Sequence, residues 1–158
     1  MATGRDPAKL AEVRALGADT VIDTAVSDAE LARAFTAARG TGYDVVLDYL
    51  WGRPTEILLR TLVPDSFTFA PPTRLVQVGE AAGPGLTVTA ASLRTSGVEI
   101  YGAAKGSNAE TMAEGYGRIV DWARSGQLVA ELDRVPLSDI ENAWRRTDST
   151  GRRLVVTP

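Results

Sequence analysis

With no cysteine and no histidine in its 158 residues, this chain must do any chemistry with carboxylates, guanidinium and ammonium groups, hydroxyls and its own backbone. That closes the thiolate and imidazole routes: no zinc tetrad, no Cys/His pair, no Ser/His/Asp triad. A few groupings remain. Arg5 and Lys9 stand one helical turn apart near the start, a spacing from which both can reach one phosphate beside a helix N-terminus. Tyr101 and Lys105 have the separation that, on a helix, lets a lysine lower the pKa of a catalytic tyrosine. Asp44 and Asp48 flank one apolar run, either as paired carboxylates for acid/base work or as groups that bind backbone amides. Gly4, Gly79 and Gly102 each close an apolar run, where a backbone can approach a ligand or simply turn tightly.

These groups need elements to hold them. Apolar runs of strand length alternate with stripes at helical spacing, which predicts an α/β fold with a mostly parallel sheet and helices on both faces. Asp6-Pro7 opens a helix bearing Leu10, Val13 and Leu16 on one face, and Gly17 stops it. A short strand over 20–23 follows. Ser27 to Glu30 reads as a capping box for a helix whose stripe is Leu31, Ala34, Phe35 and Ala38, closed by Gly40. Next come a strand over 43–48, a helix over 54–62, and strands over 75–79 and Val98–Gly102. Ser107-Asn108-Ala109-Glu110 predicts a second capping box, on a long helix ending at Gly126 with Met112, Ile119, Val120 and Ala123 inward. Gly115 and Gly117 within it suggest close packing. A third box at Ser138-Asp139-Ile140-Glu141 sits between strands over 131–136 and 153–156. The stretch 63–73, with three prolines and with Phe67 and Phe69, reads as loop.

The charge balance of 17 basic against 20 acidic side chains, interleaved along the chain, leaves a net −3 and no footprint for nucleic acid or an anionic membrane. No apolar run approaches the ~20 residues of a membrane span, and Met1 to Arg5 lacks the apolar stretch of a secretory signal, so a cytoplasmic location is expected. Without a basic groove, Trp51, Trp122 and Trp144 read as packing groups and not as a stacking platform.

Ligands of parallel α/β sheets bind beyond the carboxyl ends of the strands. An NAD-type site places an acidic residue at such a tip to take the ribose hydroxyls. Here the tip is Thr3-Gly4-Arg5, which favours a 2′-phosphate and so NADP(H) over NAD. The competing reading is that Asp6 caps the helix and Lys9 is a solvated charge. Tyr101 falls at a strand end, where residues four apart do not share a helical face, which argues against a Tyr101/Lys105 dyad.

The stretch Ala2-Thr3-Gly4-Arg5-Asp6-Pro7-Ala8-Lys9-Leu10, followed by Ala15-Leu16-Gly17-Ala18-Asp19-Thr20-Val21-Ile22-Asp23, resembles the second unit of the cofactor domain in medium-chain dehydrogenase/reductases, especially their zinc-independent quinone oxidoreductase branch. Tyr43-Asp44-Val45-Val46-Leu47-Asp48, Arg74-Leu75-Val76-Gln77-Val78-Gly79, Ile100-Tyr101-Gly102 and Thr150-Gly151-Arg152-Arg153-Leu154-Val155-Val156 follow in that family's order. The resemblance implies a Rossmann-like, NADP-binding part over 1–130 and a tail over 131–158 that returns to a catalytic domain. It implies Gly4, Arg5 and Lys9 at the 2′-phosphate end, Tyr49 and Leu50 near the adenosine and ribose, and Val78, Gly79 and Gly102 at the nicotinamide end. It supplies no catalytic residue and no metal ligand from this chain.

The resemblance further implies a homodimer through the Val98–Gly102 edge strand, and a small carbonyl or quinone substrate for the full-length protein. No G-x-G-x-x-G follows any strand; Gly79, Gly83 and Gly85 have the wrong spacing. The family's glycine-rich turn and catalytic domain are therefore expected upstream of Met1. Without that turn's amides, each charge-assisted bond of ~1.5–3 kcal/mol is lost and NADPH binding should weaken. Two other classes stand beside this reading: a non-catalytic nucleotide-binding or dimerisation module, and a short-chain-type reductase using Tyr101 and Lys105.

Overall fold

The computed structural model describes residues 1–66, 68, 70–146 and 152–158. The chain divides into two compact units, Met1–Lys105 and Gly106–Pro158. Every strand pairing among the described residues is parallel, with helices between successive strands, so the α/β expectation holds.

The first unit opens with β1 (Ala2–Gly4), α1 (Pro7–Ala15) and β2 (Val21–Asp23), with β1 and β2 paired in register Thr3 to Ile22. Asp6 caps α1, its carboxylate accepting from the Ala8 amide at 2.9 Å, and Pro7 occupies the first turn, where a missing N–H costs nothing. Next are α2 (Asp28–Arg39), β3 (Val45–Asp48) and α3 (Gly52–Thr61). They are followed by β4 (Thr73–Gln77), α4 (Ala90–Thr95) and β5 (Val98–Gly102). These give a three-stranded sheet in the order β3-β4-β5.

β4 lies two residues earlier than its apolar run suggests, because Thr73 already pairs with Val98 while Val78 and Gly79 belong to the turn. The six-residue α4 carries no stripe that a sequence pattern could reveal; Thr89 caps it by accepting from the Ser92 amide at 3.1 Å. Residues 64–72, where described, form neither helix nor strand, and Phe67 and Phe69 lie outside the described residues.

Among the described residues no ladder hydrogen bonds join β1-β2 to β3-β4-β5, yet one core underlies both sheets. Ile22 of β2, Leu31 and Phe35 of α2, and Ile57 and Leu58 of α3 form a buried cluster with Val46 of β3 packed against it. A second cluster of Leu59, Leu62 and Leu75 lies under β4, with Trp51, Val98 and Ile100 against it. Arg53 ties the same parts together at the sheet edge: its guanidinium donates to the Thr24 carbonyl at 2.8 Å, the Val26 carbonyl at 2.6 Å and the Asp28 carboxylate at 2.7 Å.

The second unit contains α5 (Ala109–Arg124), β6 (Leu132–Pro136), α6 (Ile140–Arg145) and β7 (Arg153–Thr157), with β6 and β7 paired in parallel. Thr150 and Gly151 of the closing motif lie outside the described residues. The local caps differ from expectation. Asn108, not Ser107, caps α5, with Thr111 completing the reciprocal box in place of Glu110. The Ser138 box does not form, because a 3-10 turn at Leu137–Asp139 precedes α6 and leaves it without a side-chain cap. No residue of α5 is buried; Met112 and Ile119, expected inward, are 66% and 50% exposed. A Cβ on Gly115 or Gly117 would meet nothing within 4 Å, so these glycines do not mark close packing. Trp144, at 85% exposure, is likewise no packing group.

The capping box of α2 matters because this helix carries Leu31 and Phe35 into the shared core. Ser27 donates to Glu30 at 2.6 Å through its hydroxyl and at 3.1 Å through its amide, and these two bonds hold the Glu30 carboxyl below its ordinary pKa. A carboxylate depressed in the folded state stabilises it above the unfolded pKa, and that contribution fades as pH falls through the folded value. Ser27→Ala should raise the Glu30 pKa towards its ordinary value and lower the melting temperature more at neutral pH than in acid. NMR titration and calorimetry check both.

Candidate functional site

The carboxyl ends of β2 and β3 lie at one edge of the first unit, since Arg53, just inside α3, reaches Thr24 just past β2. Gly4 and Arg5, Tyr49 and Leu50, Val78 and Gly79, and Gly102 therefore all stand at or just beyond the ends of β1, β3, β4 and β5. Of the expected site residues, only Lys9 sits elsewhere, within α1.

Arg5 is exposed and, among the described residues, has no hydrogen-bond or ion-pair partner. Its guanidinium, a planar fork of donors suited to phosphate, is available at the tip of β1. Lys9 is directed differently, with its ammonium 2.9 Å from the Glu12 carboxylate. The Asp6 carboxylate already takes the Ala8 and Lys9 amides, so the first turn of α1 has its own anion.

The turn after β3 is built around Asp48, which is 6% exposed. One carboxylate oxygen accepts from the Leu50 and Trp51 amides, each at 2.9 Å, and the other accepts from the buried Thr55 hydroxyl at 2.7 Å. Asp48 is thus the amide-binding alternative, with both oxygens engaged, and forms no acid/base pair with the exposed Asp44. The Asp48 carbonyl accepts from the Val78 and Gly79 amides, at 2.8 and 3.1 Å. Beyond the sheet the two turns continue to zip: the Ala81 amide donates to the Tyr49 carbonyl at 3.1 Å, and Ala82 to Leu50 at 2.7 Å. Two glycines make this approach possible. A Cβ on Gly79 would lie 2.9 Å from the Tyr49 carbonyl oxygen, and one on Gly52, at φ 56°, would lie 2.7 Å from that of Ala82.

Tyr49 is 61% exposed, so its ring is open to solvent at the edge, as is Gly102 at the end of β5. Tyr101 lies on β5 and Lys105 in the turn beyond it, with the ammonium 4.5 Å from the ring centroid. That is a cation over an aromatic face and not two groups aligned on a helix.

Sequence reasoning missed one concavity. A cavity of about 590 Å³ runs between β1 and β3, lined by Met1 to Thr3 on one side and by Val45 to Asp48 on the other, with Phe35 and Leu58 beneath. The signal lay in Val45 and Leu47, apolar residues that the parallel-sheet pattern would bury but that are 46% and 64% exposed.

Residues 16–153 match the family model of the zinc-binding dehydrogenases. None of the curated proteins matches the sequence. Among solved structures, a quinone oxidoreductase of Pseudomonas syringae pv. tomato shares 27% identity, with a TM-score of 0.63 over 99% of this chain and 48% of its own. A mycobacterial protein complexed with NADPH is 23% identical with a TM-score of 0.69, over 99% of this chain and 48% of its own. The alcohol dehydrogenase of Aeropyrum pernix is also 23% identical, with a TM-score of 0.64 over 99% and 42%. The chain thus spans under half the length of these structures.

The Asp48 network sets the shape of the edge, so its loss should be measurable without any ligand. Thr55→Val keeps the volume but leaves a buried carboxylate oxygen without its donor, at a cost of about 1–3 kcal/mol. Urea denaturation should register that loss, and hydrogen exchange at Leu50 and Trp51 should quicken.

Proposed function

The chain belongs to the zinc-binding dehydrogenase family, and from that premise we propose that it is the NADPH-binding part of an oxidoreductase of the quinone or enone reductase type. The observation that carries this reading is the unpartnered Arg5 guanidinium at the tip of a parallel strand, level with the exposed turns after β3 and β4. The NADPH bound to a mycobacterial protein of the same fold supports the choice of cofactor.

When bound, the nicotinamide supplies a hydride for a conjugated carbonyl. This chain's own part is to bind and orient. Arg5 holds the 2′-phosphate, with Gly4 keeping the strand tip narrow. Tyr49 and Leu50 flank the adenosine and ribose, and Val78, Gly79 and Gly102 border the nicotinamide end. The Asp48 network fixes the turn that carries Tyr49 and Leu50. Lys9, one turn into α1, joins Arg5 at the phosphate by exchanging its Glu12 contact for it.

Zinc does not fit this part of the protein. The chain has neither cysteine nor histidine, and no group of three or more carboxylates among the described residues could hold a metal. No helix among the described residues is long and apolar enough to cross a membrane.

The outer edge of β5, the terminal strand of its sheet, completes the reading as the seam of a homodimer. Light scattering should then give twice the chain mass. A monomeric parent would remove the seam. For the cofactor, fluorescence titration should show tighter binding of NADPH than of NADH. Arg5→Ala should weaken NADPH about tenfold, the loss of one charge-assisted contact, and leave NADH unchanged. Equal affinities in the parent protein would overturn the assignment of Arg5.

A further inference from the structure

At the opposite end of the strands, away from the turns that carry Tyr49 and Leu50, the connections leading into β3, β4 and β5 border a second cavity of about 140 Å³. Its wall includes Arg39, Gly40 and Thr41 from the α2–β3 connection, Pro71 and Thr73 at the start of β4, and Ser96 just before β5. Such a space is too small for a nucleotide. At the ~30 Å³ that each water takes in the liquid, it has room for about five non-hydrogen atoms.

The donors on one part of this wall are unspent. Arg39 is half-buried and gives one hydrogen bond, to the Thr61 carbonyl, and among the described residues no carboxylate pairs with it. A guanidinium drawn out of water without a counter-charge is costly, and its planar fork of donors matches an oxyanion. α2 ends beside it. The Arg39 carbonyl takes the Gly42 amide at 2.9 Å, closing the chain around Gly40 at φ 54°. That bond skips the Gly40 and Thr41 amides, which, like the Thr41 hydroxyl, have no hydrogen-bond partner among the described residues.

Elsewhere on the wall the polar groups are of the other kind. The buried Thr73 hydroxyl donates to the Tyr43 carbonyl at 2.7 Å, and the buried Ser96 hydroxyl donates to the Ser92 carbonyl, so both have only lone pairs left to offer. An occupant must therefore bring negative oxygens for Arg39 and the two amides, and a proton of its own for the hydroxyl oxygens. The walls are also fixed. A Cβ on Gly42 would lie 2.6 Å from the Pro71 ring, and one on Gly97 would lie 2.9 Å from the Pro71 carbonyl oxygen.

We propose that this cavity is a binding site for one small, protonated oxyanion of the inorganic phosphate class, held by the Arg39 guanidinium and the Gly40 and Thr41 amides. Phosphate has the five non-hydrogen atoms that the space admits, and near neutral pH it keeps at least one proton. Sulfate has the same shape and no proton to give. The proposal is independent of any nucleotide.

The 158-residue protein is titrated with sodium phosphate at neutral pH, with ionic strength held constant by chloride, and amide resonances are followed by NMR. Those of Gly40 and Thr41 should move and saturate with a one-to-one endpoint, and sulfate should bind at least tenfold more weakly. Arg39→Gln removes the charge and should weaken phosphate at least tenfold, the loss of a charge-assisted contact. If that variant does not fold, the contrast between phosphate and sulfate at Gly40 and Thr41 of the parent protein decides. Shifts there that fail to saturate, equal binding of sulfate, or undiminished phosphate binding by a folded Arg39→Gln protein would each overturn the proposal.

Discussion

Two sheets that exchange no hydrogen bonds are nevertheless held in line by one apolar core on a single face. Ile22 comes from one sheet, Val46 from the other, and Leu31, Phe35, Ile57 and Leu58 come from the helices that link them. Burial of such side chains is worth ~1.5–3 kcal/mol each, enough to align strands that backbone pairing does not. The geometry of the first unit's strand tips follows from that alignment. It brings the tips of β1, β3, β4 and β5 to a common edge, and it leaves a gap whose width is set from below. Arg53 reinforces the arrangement from the edge, but its contacts are solvent-exposed and secondary to the core.

At that edge the arrangement is asymmetric. Between β3 and β4 the backbones themselves close the space, with Ala81 and Ala82 bonded to Tyr49 and Leu50 and with glycines allowing the approach. On the β1 side the edge stays open, and Arg5 stands there without a partner among the described residues. Asp48 governs the difference. Its buried carboxylate stabilises the turn by satisfying two amides and one hydroxyl, and so decides where Tyr49 and Leu50 can stand.

The parts of this fold legible in the sequence are those set by local hydrogen bonding and by a one-sided apolar stripe. Asp6-Pro7 and the Ser27/Glu30 box work within a single turn and need no tertiary partner, so their signals could be read directly. The apolar runs of β2, β3 and β5 were equally plain. The rest depended on context. Whether Ser107 or Asn108 caps α5 is settled by backbone geometry one residue away, and α4 is too short to carry a period. Gly115 and Gly117 have the composition of a close contact without the neighbour. Among site residues, the place of Arg5 at a strand tip was readable from the pattern. The roles of Asp48 and Thr55 were not, because an aspartate ending an apolar strand does not reveal which hydroxyl it will meet in the core.

Trp51 is the one non-glycine with positive φ among the described residues; at φ 54° and ψ −163° it lies in a region that is nearly glycine's alone and costs roughly 1–3 kcal/mol. Its amide is held by Asp48, and its indole packs against the Leu59, Leu62 and Leu75 cluster, which offsets that cost. The turn is therefore spring-loaded by its own anchor. Heat or denaturant that loosens this cluster withdraws the restraint and favours the backbone's return to an ordinary conformation, so the β3 turn should unravel together with the hydrophobic layer beneath it, not as an independently fraying loop.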